Sequence, residues 1–330
     1  MSDKLTYKEA GVDIKEAAAI VGDIGSLVKR TEKKRQLMQS FGLFAAAYDL
    51  SGYDNPVMVT GCDGVGTKLE LLLEYDMPEV AGKDLVAMSV NDILTTGADP
   101  LVFLDYIGIG KLDKDLITRL IVGMTEHLED CGCILGGGET AEMPGLVADG
   151  VVELSGFCVG AAEKEDLIDP TTISIGDVLI GYPSDGPHAN GFSLIRRVLE
   201  AYSSEFSQDD VRSLLAPTRL YHDVVGALRD AEIKPKAMAH NTGGGLPENL
   251  ERLLDGKGAA LEIPAWKGEA VEKLLSHVEF QEAVNTFNMG FGWVVIVSPE
   301  DADVALAAGE GSLILGEIGE SSGVSVTLKG

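Results

Sequence analysis

The residues best suited to chemistry lie in Pro56–Lys68, PVMVTGCDGVGTK, where a short apolar run enters a glycine-rich turn. The alternating β-branched residues of Val57–Thr60 read as a strand. Glycine lacks a Cβ, so the N–H groups around Gly64 and Gly66 can approach an anion, and successive N–H groups form a nest for phosphate. Thr67 can add a hydroxyl and Lys68 a cation. Asp63 contradicts an anion site unless it holds a divalent metal that the phosphates share. The string Gly61-x-x-x-x-Gly66-Thr67-Lys68 imitates a Walker A loop but places Thr before Lys, the reverse of that motif's order. A Walker-type NTPase is therefore rejected.

Partners of the same chemistry recur downstream. Asp92 lies in Val90-Asn91-Asp92, and Ile134–Pro144 reads ILGGGETAEMP, placing Glu139 and Glu142 beside three glycines. Asp63, Asp92, Glu139 and Glu142 are hard oxygen ligands, and Mg²⁺ takes one or two protein carboxylates with phosphate oxygens and water. Several such acids converging would hold an ATP triphosphate through phosphoryl transfer. One acid alone is a cap or a solvated turn; the recurrence favours function. In the second half, Ser184–Ser193 (SDGPHANGFS) offers His188, Asn190 and Ser193 beside a helix N-terminus, which favours anions. His240–Gly245 (HNTGGG) and Asn285–Gly292 (NTFNMGFG) repeat that loop chemistry. His127 and His277 fall within helical patterns and read as solvent-facing, whereas His222 and Trp266 carry no usable signal.

These loops need a scaffold. The chain of 330 residues is 45% apolar and 24% charged, which suits a globular protein of two domains, divided into 1–164 and 165–330 near Asp169-Pro170. Strands are expected at 101–110, 151–163, 177–182, 236–240, 259–263, 291–298 and 313–318. Helices are expected at 13–30, 82–97, 191–204, 217–231, 247–254, 268–277 and 299–308. A further helix carries Leu116, Leu120, Met124 and Leu128 on one face, with Asp113 as its N-cap. Each half thus predicts an α/β layer structure, its sheet covered by helices. The net charge of −27 argues against a nucleic-acid groove or an anionic membrane surface. Lys29, Arg30, Lys33, Lys34 and Arg35 form the densest basic cluster, either a helix end favoured by the macrodipole or a holder of substrate phosphate. The four cysteines (62, 131, 133 and 158) lack metal spacing and read as reduced, and with no apolar leader or membrane-length run a cytoplasmic location is expected.

Six motifs in order make a resemblance specific: Asp63-Gly-Val-Gly-Thr-Lys68, Val90-Asn-Asp92, Gly137-Gly-Glu-Thr-Ala-Glu-Met-Pro144, Gly186-Pro-His-x-Asn-Gly191, Thr242-Gly-Gly-Gly245 and Phe287-Asn-Met-Gly290. The chain resembles the phosphoribosylformylglycinamidine cyclo-ligase family, the aminoimidazole ribonucleotide synthetases of purine biosynthesis, over essentially its whole length. Tyr7–Ile14 and Phe103–Tyr106 are similar to it too. The resemblance implies two α/β domains, with the N-terminal sheet joining its copy in a homodimer. It implies closure of formylglycinamidine ribonucleotide to aminoimidazole ribonucleotide, with ATP giving ADP and phosphate. ATP would phosphorylate the formamide oxygen, the amidine nitrogen would attack that carbon, and phosphate would leave. By resemblance Asp63, Asp92 and Glu139 would bind Mg²⁺–ATP. Gly64, Gly66, Thr67, Lys68, Asn91, Gly137, Gly138 and Thr140 would serve the nucleotide, and His188 and Asn190 the substrate or proton movement.

The chain departs from the family at two places. Gly25 stands where members often carry lysine, and Gln39–Phe44 replaces a glycine-rich segment. These motivate an alternative, a nucleotide-binding paralogue without turnover, or another ATP-dependent enzyme of the superfamily. Selenophosphate synthetase would show a reactive Cys or Sec near the N-terminal glycine segment, and the hydrogenase carbamoyl-dehydrating protein a terminal Cys; neither pattern is present here.

Overall fold

The computed structural model describes residues 22, 24–38 and 45–329. The expected Tyr7–Ile14 motif, the first part of the 13–30 helix and the 39–44 segment lie outside the described residues; residues 24–30 are helical as expected. The elements run β1 (Pro56–Gly64), α1 (Lys68–Glu74), α2 (Pro78–Thr95), β2 (Asp99–Ile109), α3 (Lys114–Cys131), β3 (Ile134–Glu142) and β4 (Val152–Glu163). The second half adds β5 (Val178–Pro183), α4 (Phe192–Ala201), α5 (Gln208–Leu214), α6 (His222–Asp230), β6 (Ala237–His240), α7 (Gly245–Glu251), β7 (Gly258–Ile263), α8 (Glu269–Ser276) and α9 (Phe280–Thr286). It closes with β8 (Phe291–Val297), α10 (Ala302–Ala307), β9 (Leu313–Gly319) and β10 (Gly323–Leu328). The two-sheet α/β architecture is the one expected.

The first sheet has the order β1-β4-β2-β3, parallel between β2 and β3 and antiparallel elsewhere. The second has the order β10-β7-β9-β5-β8-β6, parallel only between β10 and β7. Between them runs α2, buried on nearly every side: Leu85, Val86, Val90 and Ile93 pack into the core while Asp84, Ser89 and Asn91 are buried polar groups. A helix apolar all round belongs in an interior, and its buried polar residues must then find partners. Asp113 caps α3 as expected, accepting from the Leu116 N–H at 3.1 Å.

Two glycines let α2 and α3 touch backbone to backbone. A Cβ on Gly123 would lie 1.9 Å from the Glu79 carbonyl oxygen, and one on Gly82 would lie 2.1 Å from that of Leu120. Alanine at position 123 gains about 1 kcal/mol of helix propensity, but such overlap costs about 1–3 kcal/mol or more because neither backbone can yield alone. Gly123→Ala is therefore expected to lower the melting temperature by about 2–4 °C. An unchanged or raised value in scanning calorimetry would show that the two helices part freely.

Among the described residues no helix covers the outer face of the first sheet. Met58 is 67% exposed and Phe157 41%, and the pairing of Cys62 with Phe157 puts both on that face. The basic cluster is largely spent on structure. Arg30 and Lys33 pair with Glu129, Lys34 donates to the Asp130 carbonyl near the end of α3, and Arg35 reaches Asp99 and the Pro100 carbonyl. That arrangement suits the macrodipole reading and not the phosphate one. His127 and His277 do not face solvent. His127 bonds the Thr218 carbonyl, and His277 stacks on Tyr202 at 3.7 Å and pairs with Glu205. All four cysteines are free, as expected.

Candidate active site

The glycine turn after β1 does carry an open cradle. Gly66 adopts φ +62° with nothing near its would-be Cβ, and Thr67 begins α1 with no side-chain cap on its first N–H groups. Gly137, at φ +152° beside a register shift between β2 and β3, is equally open. Gly64 is more confined. It pairs with Ser155, and its N–H donates to the Asp63 carboxylate at 2.7 Å. Gly138 is confined by Asp105, whose Oδ1 lies 2.2 Å from where a Cβ would stand. Thr140 pairs with Ile107 and is half-buried.

Asp63 and Asp92 come together. Burial raises the Asp63 carboxyl above its usual value against the opposing Gly64 N–H, and the Asp92 charge adds to the rise. Asp92 is 45% exposed, and its Oδ1 lies 3.0 Å from Nδ1 of His240 at the end of β6. Two hard-oxygen carboxylates in one place suit a magnesium ion that keeps phosphate and water ligands. Glu139 does not complete a triad. On β3 it pairs with Tyr106 of β2, and strand alternation turns it away from the face of Asp105 and Gly138. Among the described residues no group of three or more His, Cys, Asp or Glu side chains could hold a metal. Of the expected Asp63, Asp92 and Glu139, the structure brings Asp63 and Asp92 together and leaves Glu139 apart. Asp105 is held up to about 7, by burial first and then by the Glu139 charge.

Three expected contacts are corrected in kind. Lys68 is not a free cation for phosphate: its ammonium is fully buried, 2.7 Å from Asp84 Oδ2 and donating to the Ala216 carbonyl at 2.7 Å. Burial lowers its titration against the opposing Asp84 charge. Asn91 is wholly buried, donating to the Arg219 carbonyl at 2.9 Å and accepting from the Tyr221 N–H at 3.1 Å. Its amide is thus engaged by the main chain of the second half. His188, at φ +61°, is buried against Tyr221, 2.2 Å from the would-be Cβ of Gly292. Burial, then the His240, Lys68 and Arg219 charges, hold its titration well below the usual imidazole value. It is a neutral ring whose Nε2 accepts the Arg219 N–H at 3.5 Å, not a proton shuttle at the surface.

The three second-half loops do converge. Asn190 faces Gly243, its Oδ1 3.6 Å from the would-be Cβ, and its buried Nδ2 has no partner among the described residues. Gly191 starts α4 in the left-handed region, φ +78°, with the Phe287 ring 2.5 Å from where a Cβ would be. Asn288 ties the last loop to the first through Ser184 and the Gly186 carbonyl. Across the cleft, Thr67 Oγ1 meets Ser193 Oγ at 3.2 Å. The two halves therefore meet through Thr67 and Ser193 and through Asp92 and His240, with Asp63 near Asp92 and Asn190 facing Gly243. His240 is the residue that sequence reasoning left without a role. Its position before three glycines was visible, but its partner Asp92 is 148 residues away.

Comparisons with known proteins agree over the whole chain. Residues 44–162 match the N-terminal domain of AIR synthase related proteins, and residues 174–329 match the C-terminal domain. A phosphoribosylformylglycinamidine cyclo-ligase of Thermoanaerobacter pseudethanolicus is 43% identical, the match covering 97% of this chain and 99% of that one. One from Neisseria meningitidis serogroup B is 44% identical over 97% and 94%. The fold is shared with the hydrogenase maturation protein HypE solved in complex with ATP (17% identity, TM-score 0.69, covering 94% and 91%). It is also shared with thiamine-monophosphate kinase from Stenotrophomonas maltophilia (15%, TM-score 0.68, 92% and 95%). With both domains matched in order and relatives above 40% identity end to end, the chain belongs to the phosphoribosylformylglycinamidine cyclo-ligase family.

Proposed function

We propose that this enzyme closes formylglycinamidine ribonucleotide to aminoimidazole ribonucleotide, turning ATP into ADP and phosphate. The observation that carries the reading is the cleft in which Asp92 of the first half meets His240 of the second beside open glycine loops. The formamide oxygen is a poor leaving group. Transfer of the γ-phosphoryl group to it makes a good one, the amidine nitrogen then attacks the same carbon, and phosphate departs with the C–O bond. Such a reaction needs aligned partners and fixed dipoles more than a strong protein nucleophile. Gly66, Thr67 and Gly137 supply backbone N–H groups and a hydroxyl to phosphate, with Gly64, Gly138 and Thr140 shaping the strand ends behind them. Asp63 and Asp92 would hold Mg²⁺, which would neutralise phosphate charge. Asn190, with its unpartnered Nδ2, is placed to donate to the substrate.

A second copy of the chain covering the Met58–Phe157 face would make a homodimer, which the exposed apolar side chains there support. Division of the chain near residue 165 places one sheet in each unit. No helix among the described residues is long and apolar enough to cross a membrane, which fits a cytoplasmic enzyme. A coupled assay with formylglycinamidine ribonucleotide, ATP and Mg²⁺ tests the reaction. Equal yields of ADP and aminoimidazole ribonucleotide are expected. ADP without the imidazole would mean a different acceptor, and ATP binding with neither product would leave a paralogue without turnover.

A further inference from the structure

Residues 216–221, between α5 and α6, form neither helix nor strand, yet their main chain is held at almost every step. The Ala216 carbonyl accepts from Lys68 Nζ at 2.7 Å, and the Thr218 N–H donates to Asp84 Oδ1 at 2.7 Å. The Thr218 carbonyl meets His127 Nε2 at 3.3 Å. The Arg219 carbonyl and the Tyr221 N–H are bonded by the single amide of Asn91, and the Arg219 N–H goes to His188. All but the last of these partners belong to the first half of the chain. Asp84 and Asn91 stand seven residues apart on α2, two turns along one face. Both Lys68 and Asp84 are 0% exposed, a buried ion pair whose remaining bonds are spent on this one segment.

Two of the grips adjoin groups of the cleft. Lys68 follows Thr67 directly, Asn91 precedes Asp92, and Asn91 Nδ2 also lies 3.5 Å from the Nε2 of His240. We propose that segment 216–221 is a positioning strap: through its main chain it fixes the glycine loop and the Asp92–His240 pair of one half relative to the other. Lys68, Asp84, Asn91 and His127 are then positioning residues for the reaction rather than ligand contacts. This rests on the cyclo-ligase reading and assigns residues that reading leaves unexplained. Side-chain grips on main-chain atoms leave the strap's sequence free but its path fixed, which is what holding two halves in register requires.

The test combines Lys68→Met with Asp84→Leu, so that no buried charge is left alone and the fold is retained. Wild-type turnover is measured alongside; its absence would fail the cyclo-ligase reading and not the strap. With wild type active, the pair is expected to lower kcat by about 10- to 100-fold, because sub-ångström misplacement is costly in an aligned reaction. The equilibrium Kd for ATP should change less than about threefold. A large loss of ATP affinity with kcat preserved would make Lys68 a ligand contact and overturn the proposal; so would wild-type values of both. Should the pair fail to fold, His127 decides. His127→Leu removes the bond to the Thr218 carbonyl and should lower kcat several-fold, while His127→Gln, which keeps a donor, should restore it. Equal kcat for the two would overturn the strap.

Discussion

Asp92→Asn is expected to reduce kcat by about 10²- to 10³-fold, the range found when one group aimed at developing charge is removed. The fold should not notice. The side chain is 45% exposed, so no buried charge is orphaned, and an asparagine oxygen can still accept from His240 Nδ1 at 3.0 Å. What disappears is the negative charge. Without it the cleft keeps one carboxylate, Asp63, where the geometry offers two for a hard cation shared with phosphate. A second consequence can be read independently. The Asp92 charge helps to raise the Asp63 carboxyl, so Asp63 should titrate lower in the variant. Steady-state kinetics at saturating ATP, together with carboxyl titration by NMR, check both. Near-normal turnover would remove Asp92 from the nucleotide site, whatever its closeness to His240.

Much of this architecture was legible because it rests on local chemistry. Val57–Thr60 alternates and forms β1, and Asp113 caps α3 because its side chain needs only the Leu116 N–H three residues on. The glycine loops were legible for the same reason: an open turn needs a residue without a Cβ, and Gly66 and Gly191 both take positive φ. The missed elements α1, α5 and α9 are seven residues each, too short for an apolar period to stand out. β10 gains its place from parallel pairing with β7 some 65 residues earlier, by the register Gly323 to Gly258. The clearest error is the helix expected over 217–231, which begins only at His222. Residues 216–221 do not need helical hydrogen bonds because Lys68, Asp84, Asn91 and His127 satisfy their main chain from more than 90 positions away. The same long-range bonds explain why Lys68 and Asn91 read as nucleotide ligands. A lysine after a glycine turn has the right type for phosphate, and only the fold reveals that Asp84 claims it.

That claim gives the largest expected effect on stability. Asp84→Leu alone leaves the Lys68 ammonium buried without its counter-charge, and breaking one side of a buried pair typically costs about 3–5 kcal/mol. The Thr218 N–H also loses its acceptor. The paired change, Lys68→Met with Asp84→Leu, should be far milder, since both desolvation penalties vanish with the charges. The pH dependence separates a stranded charge from simple misfit. Burial already holds the Lys68 titration below its free value, with Asp84 opposing, so removing Asp84 must push it lower still. The folded state then binds fewer protons than the unfolded state between the lowered value and about 10.4, the free lysine value, and stability rises with pH across that window. Asp84→Leu should therefore be least stable at neutral pH and recover toward pH 10 more steeply than wild type, whereas the paired variant should lack Lys68's share of that slope. Denaturant unfolding at several pH values measures this. A single variant as stable as the pair at pH 7, or one whose deficit does not shrink on raising the pH, would mean that Lys68 finds another partner or water and that the two halves are not locked by a buried charge.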